Sequence, residues 1–165
     1  MNPETIIHLE ENSFMEMETV QIKGVDSTIR TSTAKLGAGA TLVIKEKIMT
    51  HGKQYAKTDF TVDLDGEGAS ANVVSRSVAK DTSHQVFLSN IRGNAACTGH
   101  TECDAIIMDK ATVAAIPEIT ANHIDASLIH EAAIGKIAGE QITKLMTLGL
   151  DEHEAEEQII SGFLK

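Results

Sequence analysis

Apolar and polar residues alternate along most of this chain, in short runs that are separated by turn-forming residues. Residues 60–64 alternate strictly, with the two-residue period of a half-buried β-strand. Runs rich in β-branched or other apolar residues predict further strands at 41–44, 73–78, 84–88 and 97–107. No run with helical spacing separates these strands, which argues against a doubly wound α/β sheet. The pattern predicts a mainly β fold and leaves a sandwich, a barrel and a β-solenoid open.

A Gly-x-Gly-Ala sequence occurs twice, at 37–40 and at 66–69, each time shortly after an apolar residue and before a strand. Glycine-rich turns can also hold phosphate, but that function normally needs a helix directly after the turn. Because a strand follows both segments, we interpret them as tight corners between parallel strands in a repetitive β fold. We expect a further corner at 91–94.

Near the end of the chain the apolar spacing changes from strand-like to helical. Residues 132–137 predict a short apolar helix, and residues 139–148 predict another, which Gly149 can end in the left-handed conformation. Asp151 and Glu154 have the spacing of a capping box at the start of a last helix. The last two helices should form a compact hairpin, docked on the end of the β layer.

These patterns divide the chain into two predicted parts. Residues 1–130 should form the β core, in which residues 1–20 are an irregular N-terminal arm or an edge strand. Residues 131–165 should form a C-terminal helical subdomain. Tryptophan is absent and aromatic residues make up only 3% of the chain, so the inward positions of the β core should be Ile, Val, Leu and Ala.

The formal net charge of −10 changes the set of possible partners. Nucleic acid and anionic membrane surfaces both need a cationic face, so neither is expected to bind this chain. No apolar stretch is long enough to span a bilayer, and the first residues lack the basic start of a signal peptide. We therefore expect a cytosolic protein with Cys97 and Cys103 reduced.

The segment from Cys97 to Cys103, with His100 between them, suggests a metal site at first sight. In one straight strand the two thiols would lie roughly 20 Å apart on one face, at about 3.3 Å per residue, and His100 would point the other way. Bonds from zinc to its ligands are only about 2.0–2.3 Å long, so a shared ion would need a turn at Gly99. The spacing matches no standard zinc motif, and we do not favour a closed structural zinc site.

Cys103 and the pair His130-Glu131 are the remaining candidates for chemistry. A thiolate is a soft ligand and a nucleophile that can carry sulfur, whereas a buried strand cysteine can equally be inert. Imidazole and carboxylate are plausible iron ligands, although a strand-end histidine beside a solvated glutamate needs no function. No Ser-His-Asp or paired-carboxylate constellation appears, so a small metalloenzyme is the least favoured hypothesis.

Several segments, in order over residues 92–163, resemble the core of the SufB/SufD family, the paired scaffold proteins of the SUF iron–sulfur cluster assembly system. The segments are Cys103-Asp104-Ala105-Ile106-Ile107, Pro117-Glu118-Ile119, His130-Glu131-Ala132 with Gly135-Lys136-Ile137, Glu140-Gln141 with Leu145 and Gly149-Leu150, and Glu154-Ala155 with Ile159-Ile160-Ser161-Gly162-Phe163. Each piece is short, and the resemblance depends on their combination and order.

The resemblance implies a right-handed parallel β-helix (solenoid) core followed by a small helical subdomain, a choice that periodicity alone does not make. It also implies a scaffold rather than an enzyme, one that holds a transient iron–sulfur cluster and no permanently bound cofactor. In the SufB branch the positions of Cys103 and Glu131 are implicated in receiving sulfur and building the cluster. In the SufD branch the position of His130 is implicated in iron, so the resemblance makes Cys103, His130 and Glu131 the candidate iron ligands.

The implied partners are a SufC-like ABC ATPase, a second copy or a SufB/SufD paralogue, and a sulfur donor protein. We expect association of the two scaffold chains through the β portion and contact with the ATPase through residues 139–163. Cys103 and the pair His130-Glu131 should lie near one another, at the face or end used for association. The alternative is a β-solenoid interaction module with no cluster chemistry of its own.

Overall fold

The computed structural model describes residues 1–22 and 24–165, in which ten β-strands precede two α-helices. The strands are β1 (Glu4–Leu9), β2 (Phe14–Gln21), β3 (Ser27–Leu36), β4 (Thr41–Thr50), β5 (Tyr55–Leu64), β6 (Ser70–Ala79), β7 (His84–Gly93), β8 (Thr98–Ile107), β9 (Thr112–Ala121) and β10 (Ser127–Gly135). The helices are α1 (Gly139–Met146) and α2 (Glu152–Phe163). Among the described residues, no helix combines the length and the apolarity needed to cross a membrane.

The strands form two five-stranded parallel sheets, and consecutive strands alternate between them. Sheet A has the order β1-β3-β5-β7-β9, and sheet B has the order β10-β8-β6-β4-β2. Each strand pairs in parallel with the strand two places along the chain, so the chain coils through stacked rungs. Side chains in adjacent rungs meet at separations of 28 or 29 residues. The predicted fold class is confirmed as a parallel β-solenoid of about five turns with two C-terminal helices.

Both Gly-x-Gly-Ala segments are corners at which the chain leaves sheet A and enters sheet B, as predicted. Gly39 and Gly68 have positive φ values of 63° and 72°, a conformation that residues with a Cβ rarely adopt. A Cβ on Gly66 would lie 2.0 Å from the backbone nitrogen of Ala38 in the neighbouring corner. Stacked corners therefore approach each other too closely for a side chain at Gly66.

The interior between the sheets has an apolar half beside the glycine corners and a polar half at the opposite end of the rungs. The apolar half is made by buried residues that include Leu36, Leu42, Ile44, Phe60, Val62, Leu64 and Val73. The polar half is made by Glu46, Thr50, Thr58, Ser75, Ser77, Ser83 and Gln85, all buried. The prediction of Ile, Val, Leu and Ala at inward positions is correct in the apolar half, whereas in the other half Ile48, Ala56 and Ala79 alternate with polar residues. Polar side chains are accommodated because they bond one another, as when Gln85 Nε2 donates to the Thr50 hydroxyl at 2.8 Å.

The N-terminal residues form β1 and β2, the first strands of the two sheets, and not an irregular arm. Met15 and Met17 pack against the apolar core, while the alternating glutamates point outward. Glu16 pairs with Lys45 at 2.5 Å and Glu18 pairs with Lys47 at 2.6 Å on β4. The glutamates that interrupt the apolar pattern in the sequence are thus the outward positions of a strand, and their partners come from the next rung.

Two local predictions are wrong at the boundaries of strands. The corner expected at 91–94 begins later, because β7 continues through Gly93. The helix expected at 132–137 is strand up to Gly135, and α1 begins only at Gly139. Small apolar residues are compatible with either structure, and here the ladder with β8 decides in favour of strand. The change from strand to helix therefore falls after Gly135 and not at residue 131.

The second C-terminal helix, α2, lies beside the outer face of sheet B. The predicted capping box of α2 is confirmed, since Asp151 Oδ1 accepts from the Glu154 backbone and Glu154 Oε2 accepts from the Asp151 backbone, each at 2.8 Å. Ile160 of α2 is buried and lines a groove together with Met49 and Lys80, which belong to the sheet B side of the solenoid. Helix α2 thus lies beside this face near β4 and β6, while α1 contacts α2 and buries no residue.

Candidate metal and thiol site on the last rungs

The candidate site is built on β8 and β10, which are neighbours at one edge of sheet B. Cys103 pairs with Ala132 across this ladder, and Thr101 pairs with His130. Side chains alternate between the two faces of a strand, so the same two strands supply groups to the interior and to the outer face. Cys103 and His130 face the interior, whereas Glu131 faces outward.

Cys103 is sealed inside the solenoid, with only 1% of its surface exposed. In the ladder it is paired with Ser75 on β6, which in turn is paired with Glu46 on β4. Burial, followed by the negative charges of Glu46 and Asp104, raises the pKa of the Cys103 thiol to about 12. The group is therefore a protonated thiol at neutral pH in this conformation, and a protonated thiol is neither a good nucleophile nor a metal ligand.

His130 lies on the final strand of sheet B and presents one ring nitrogen without a partner. Its Nδ1 atom and the Thr101 hydroxyl are 2.5 Å apart, while Nε2 is buried and has no hydrogen-bond partner among the described residues. Burial and the nearby His100 both lower the pKa of His130, which favours the neutral imidazole. A neutral imidazole with a free ring nitrogen is the form that binds transition metals.

Glu131 projects from the outer face of β10, where it lies close to His100 and Glu102, which the sequence did not predict as its neighbours. Its Oε2 atom lies 3.1 Å from His100 Nε2. Glu102, the direct ladder partner of Glu131, completes a group whose ligand atoms all lie within 4.8 Å of one another. Within the described part of the chain, this is the one group of three or more potential metal ligands that are close enough to share an ion.

Acidic and basic side chains both surround this outer group, with Asp104 and Arg76 acting on Glu102. A hydrogen bond to Asp104 raises the pKa of Glu102, assisted by burial and by the Asp104 charge, and opposed by Arg76 and His100. His100 is held from its other side, because its Nδ1 lies 2.9 Å from the side-chain oxygen of Asn72 on β6. The amide oxygen can only accept, so His100 Nδ1 must carry the proton.

The structure does not bring the three predicted residues to one point. Cys103 and His130 share the interior, but Glu131 lies on the other face of β10, so the predicted common set of ligands does not form within this conformation of one chain. The expectation that His100 points away from Cys103 is correct, and the outer metal-ligand group contains neither cysteine. Cys97 lies in the corner before β8, where burial raises its pKa.

His100 and Glu102 were missed because their partner is 29 or more residues away in sequence. The alternation of side chains along β8 is enough to place His100 and Glu102 on one face of the strand. Only the register between β8 and β10 shows that Glu131 occupies the same face beside them. Predicting this group from the sequence requires the rung length of the solenoid, because that length determines which residues of β8 and β10 stack.

Comparison with known proteins gives a match over nearly the whole chain. The family model described as SUF system FeS cluster assembly, SufBD core domain, matches residues 3–163. An iron–sulfur cluster assembly SufBD family protein of Archaeoglobus fulgidus is 30% identical over 167 residues, which covers 100% of this chain and 45% of the relative. A SufBD family protein of Methanothermobacter thermautotrophicus is 39% identical over 105 residues, covering 62% of this chain and 26% of the relative.

A bacterial relative also matches this chain over part of its own length. The iron–sulfur cluster assembly protein SufB of Bacillus subtilis is 34% identical over 100 residues, which covers 58% of this chain and 22% of the relative. Across these three comparisons the chain spans from 22% to 45% of the length of the curated relatives that it matches.

Proposed function

The chain belongs to the SufBD family, and from that membership we propose that it is a scaffold component of a SUF-type iron–sulfur cluster assembly system, located in the cytosol. Its role is to hold sulfur and iron while a cluster forms, without catalysing a reaction on a separate substrate. The observation that carries the proposal is the placement of a thiol, an imidazole and a carboxylate on β8 and β10, at one edge of sheet B.

The role proposed for each group follows from whether it is a soft or a hard metal ligand. Cys103 receives sulfur, because a thiolate is the soft ligand and nucleophile of the set. His130 on the interior face and Glu131 on the outer face of β10 bind iron at separate points, through nitrogen and oxygen, which release iron more readily than thiolate does. An iron–sulfur cluster needs about four ligands, so a single Cys103 cannot hold one, and a second chain or small thiols complete the site.

Association through the end of the solenoid is the way in which we propose that a second chain reaches the site. β9 and β10 are the last strands of their sheets, and neither has a strand on its outer side within the described residues. Apolar side chains are exposed there, with Ile124 95% and Ile129 53% accessible. Open strand edges and exposed apolar residues favour pairing with a second copy or a SufB/SufD paralogue.

Because Cys103 is buried, sulfur transfer to its thiol depends on the remaining partners. The thiol is protonated and sealed in this conformation, so sulfur transfer needs an opening of the last rungs. We assign that opening to a SufC-like ABC ATPase that binds the helical segment, where α1 has no buried residue and Leu148 is 75% exposed. A sulfur donor protein would then reach the thiol. The cluster is transient, and the chain keeps no permanently bound cofactor.

The same burial favours a second candidate function, a β-solenoid interaction module without cluster chemistry. Cys103 is as enclosed as the apolar core residues around it, which is typical of a structural cysteine. In that case the exposed end of the solenoid would still bind a partner chain, but the thiol would never meet sulfur or iron.

Anaerobic reconstitution with sulfide and a mixture of ferric and ferrous iron separates the two candidates. We expect the wild-type chain to develop the charge-transfer absorption of a cluster, and Cys103→Ser to abolish it while the circular dichroism spectrum stays unchanged. Glu131→Ala should lower the yield several-fold. Cys97→Ser is the matched control, a second buried thiol that should matter much less. Absence of a cluster in the wild type would contradict the scaffold proposal and leave the interaction module, whereas cluster formation by Cys103→Ser at the wild-type level would contradict the role assigned to Cys103.

A further inference from the structure

We propose that His100, Glu102 and Glu131 form a binding site for one divalent first-row transition metal ion on the outer face of sheet B, separate from the interior thiol. The inference goes beyond cluster assembly, since this site would bind metal whether or not Cys103 ever accepts sulfur. It adds His100 and Glu102, two residues that no sequence motif singled out as ligands together with Glu131.

The ladder between β8 and β10 sets the geometry of this site. Glu102 and Glu131 are direct partners in register, and His100 is paired with Ile129, two residues before Glu131. All three side chains therefore project from one face of two hydrogen-bonded strands, with their ligand atoms within 4.8 Å of one another. Atoms that share a first-row metal each lie about 2.0–2.2 Å from it, which places them roughly 3–3.6 Å apart. His100 Nε2 and Glu131 Oε2, which are 3.1 Å apart, already have that spacing.

The orientation of His100 shows that the pair needs a cation or a proton between its members. Nδ1 donates to the side-chain oxygen of Asn72 at 2.9 Å, which leaves the lone pair of a neutral ring on Nε2. That nitrogen faces the Glu131 carboxylate at 3.1 Å, so the contact is an ion pair when the ring carries a second proton and two opposed acceptors when it does not. A metal ion in this position satisfies both acceptors at once. The hydrogen bond to Asn72 is the kind of support that fixes the tautomer of a metal-bound histidine.

The donor set selects the class of metal. One imidazole and two carboxylates suit Fe²⁺, Mn²⁺, Co²⁺ and Zn²⁺, whereas Mg²⁺ and Ca²⁺ prefer oxygen-only sites and Cu⁺ prefers sulfur. Glu102, Glu131 and the adjacent Asp104 bring three carboxyl groups. Arg76 is the basic side chain that acts on Glu102 from beside the ligands, so the balance of charge at the ligands favours a dication. Three protein ligands leave coordination positions open to water or to a group from a partner chain.

Anaerobic titration of the untagged full chain with Co²⁺ tests the site, because bound Co²⁺ reports its ligands in the visible spectrum and equilibrium dialysis counts the ions. We expect one ion per chain, with d–d bands of nitrogen and oxygen ligation and without the strong thiolate charge-transfer band. His100→Ala and Glu102→Gln should remove this binding. Asn72→Ala should weaken it by about 10–100-fold, the usual effect of removing the group that orients a ligand.

Matched controls come from two other His–carboxylate pairs. His153 lies 3.8 Å from Glu157 and His123 lies 3.9 Å from Asp125, but neither pair has a third ligand within reach among the described residues. His153→Ala, His123→Ala and Cys103→Ser should each bind Co²⁺ like the wild type. Absence of stoichiometric binding by the wild type, or an equal loss in His153→Ala and His100→Ala, would overturn the proposal. Since Cys103→Ser removes cluster formation but not Co²⁺ binding, the two proposals can fail independently.

Discussion

At the scale of single residues, Glu46 is a carboxyl group enclosed by the polar half of the interior. The hydroxyls of Thr58 and Ser75 each donate to it at 2.9 Å, and Arg30 Nε lies 3.8 Å from the same carboxyl group. Burial raises the pKa of Glu46 more than these three contacts lower it. The polar interior therefore tolerates Glu46 best as a neutral acid, and its ionisation opposes folding.

This raised pKa predicts a stability that falls as the pH rises. Below the usual value of 4.5 both the folded and the unfolded chain bind the proton, so Glu46 contributes no pH dependence there. Above that value the unfolded chain ionises first, and stability declines with a limiting slope of about 1.4 kcal/mol per pH unit until the folded pKa is passed. Urea unfolding of wild type and Glu46→Gln from pH 4.5 upward measures this slope.

We expect Glu46→Gln to lose little at pH 4.5 and to gain stability relative to wild type as the pH increases. Glu67→Gln, at an exposed corner position, is the control and should follow the wild-type curve. A difference between wild type and Glu46→Gln that does not change with pH would show that burial does not raise the pKa of this carboxyl group.

At the scale of elements, the corners between sheets A and B determine how closely the rungs stack. Gly66 lies against the backbone of the preceding corner, where an added Cβ would be 2.0 Å from a nitrogen and 2.2 Å from the Gly37 carbonyl carbon. Backbone atoms cannot rotate away as the end of a side chain can. The glycine is therefore needed for the close contact between rungs.

Gly66→Ala should destabilise the chain by about 1–3 kcal/mol or more, because the two stacked corners must separate to admit the methyl group. Thermal or urea unfolding measures the loss. Gly162→Ala is the control and should increase the free energy of unfolding. Gly162 lies in α2 with no atom within 4 Å of an added Cβ, and alanine stabilises a helix relative to glycine by up to about 1 kcal/mol. Equal stability of Gly66→Ala and wild type would mean that the rungs are less tightly stacked than described.

At the scale of the whole molecule, the solenoid has two ends whose terminal strands expose apolar residues. The first rung exposes Phe14 on β2, and the last exposes Ile129 on β10, at 67% and 53% of their surface. The candidate site lies next to the last rung. A partner chain that completes this site must therefore bind the end formed by β9 and β10.

Light scattering at micromolar concentrations should show a dimer of the wild-type chain, or a heterodimer when a paralogue is added. Ile129→Lys should shift this equilibrium to the monomer, since it places a charge among the exposed apolar residues of the last rung. Phe14→Lys makes the same substitution at the opposite end and should leave the dimer intact. A wild-type monomer at high micromolar concentration, with no change on adding a paralogue, would contradict association through this end.

Local patterns in the sequence were sufficient for the features that depend on neighbouring residues. The alternation at 60–64, the corners at 37–40 and 66–69 and the capping box of α2 all follow from contacts within a few residues, and the structure confirms them. Cys103 and His130 could also be placed on strands or their ends in this way. Each of these predictions needed only backbone geometry and the period of the side chains.

The tertiary structure decided what depends on stacking of residues 28 or 29 positions apart. Glu16 and Glu18 belong to a strand because β4 supplies its ladder, and lysines of β4 pair with them. Residues 132–135 are strand because β8 supplies their ladder. Polar residues such as Glu46 are buried because the next rung brings hydroxyl groups to them. The same register separates Glu131 from Cys103 and joins it to His100, because alternation assigns a face to each residue but only the stacking of rungs determines which residues meet there.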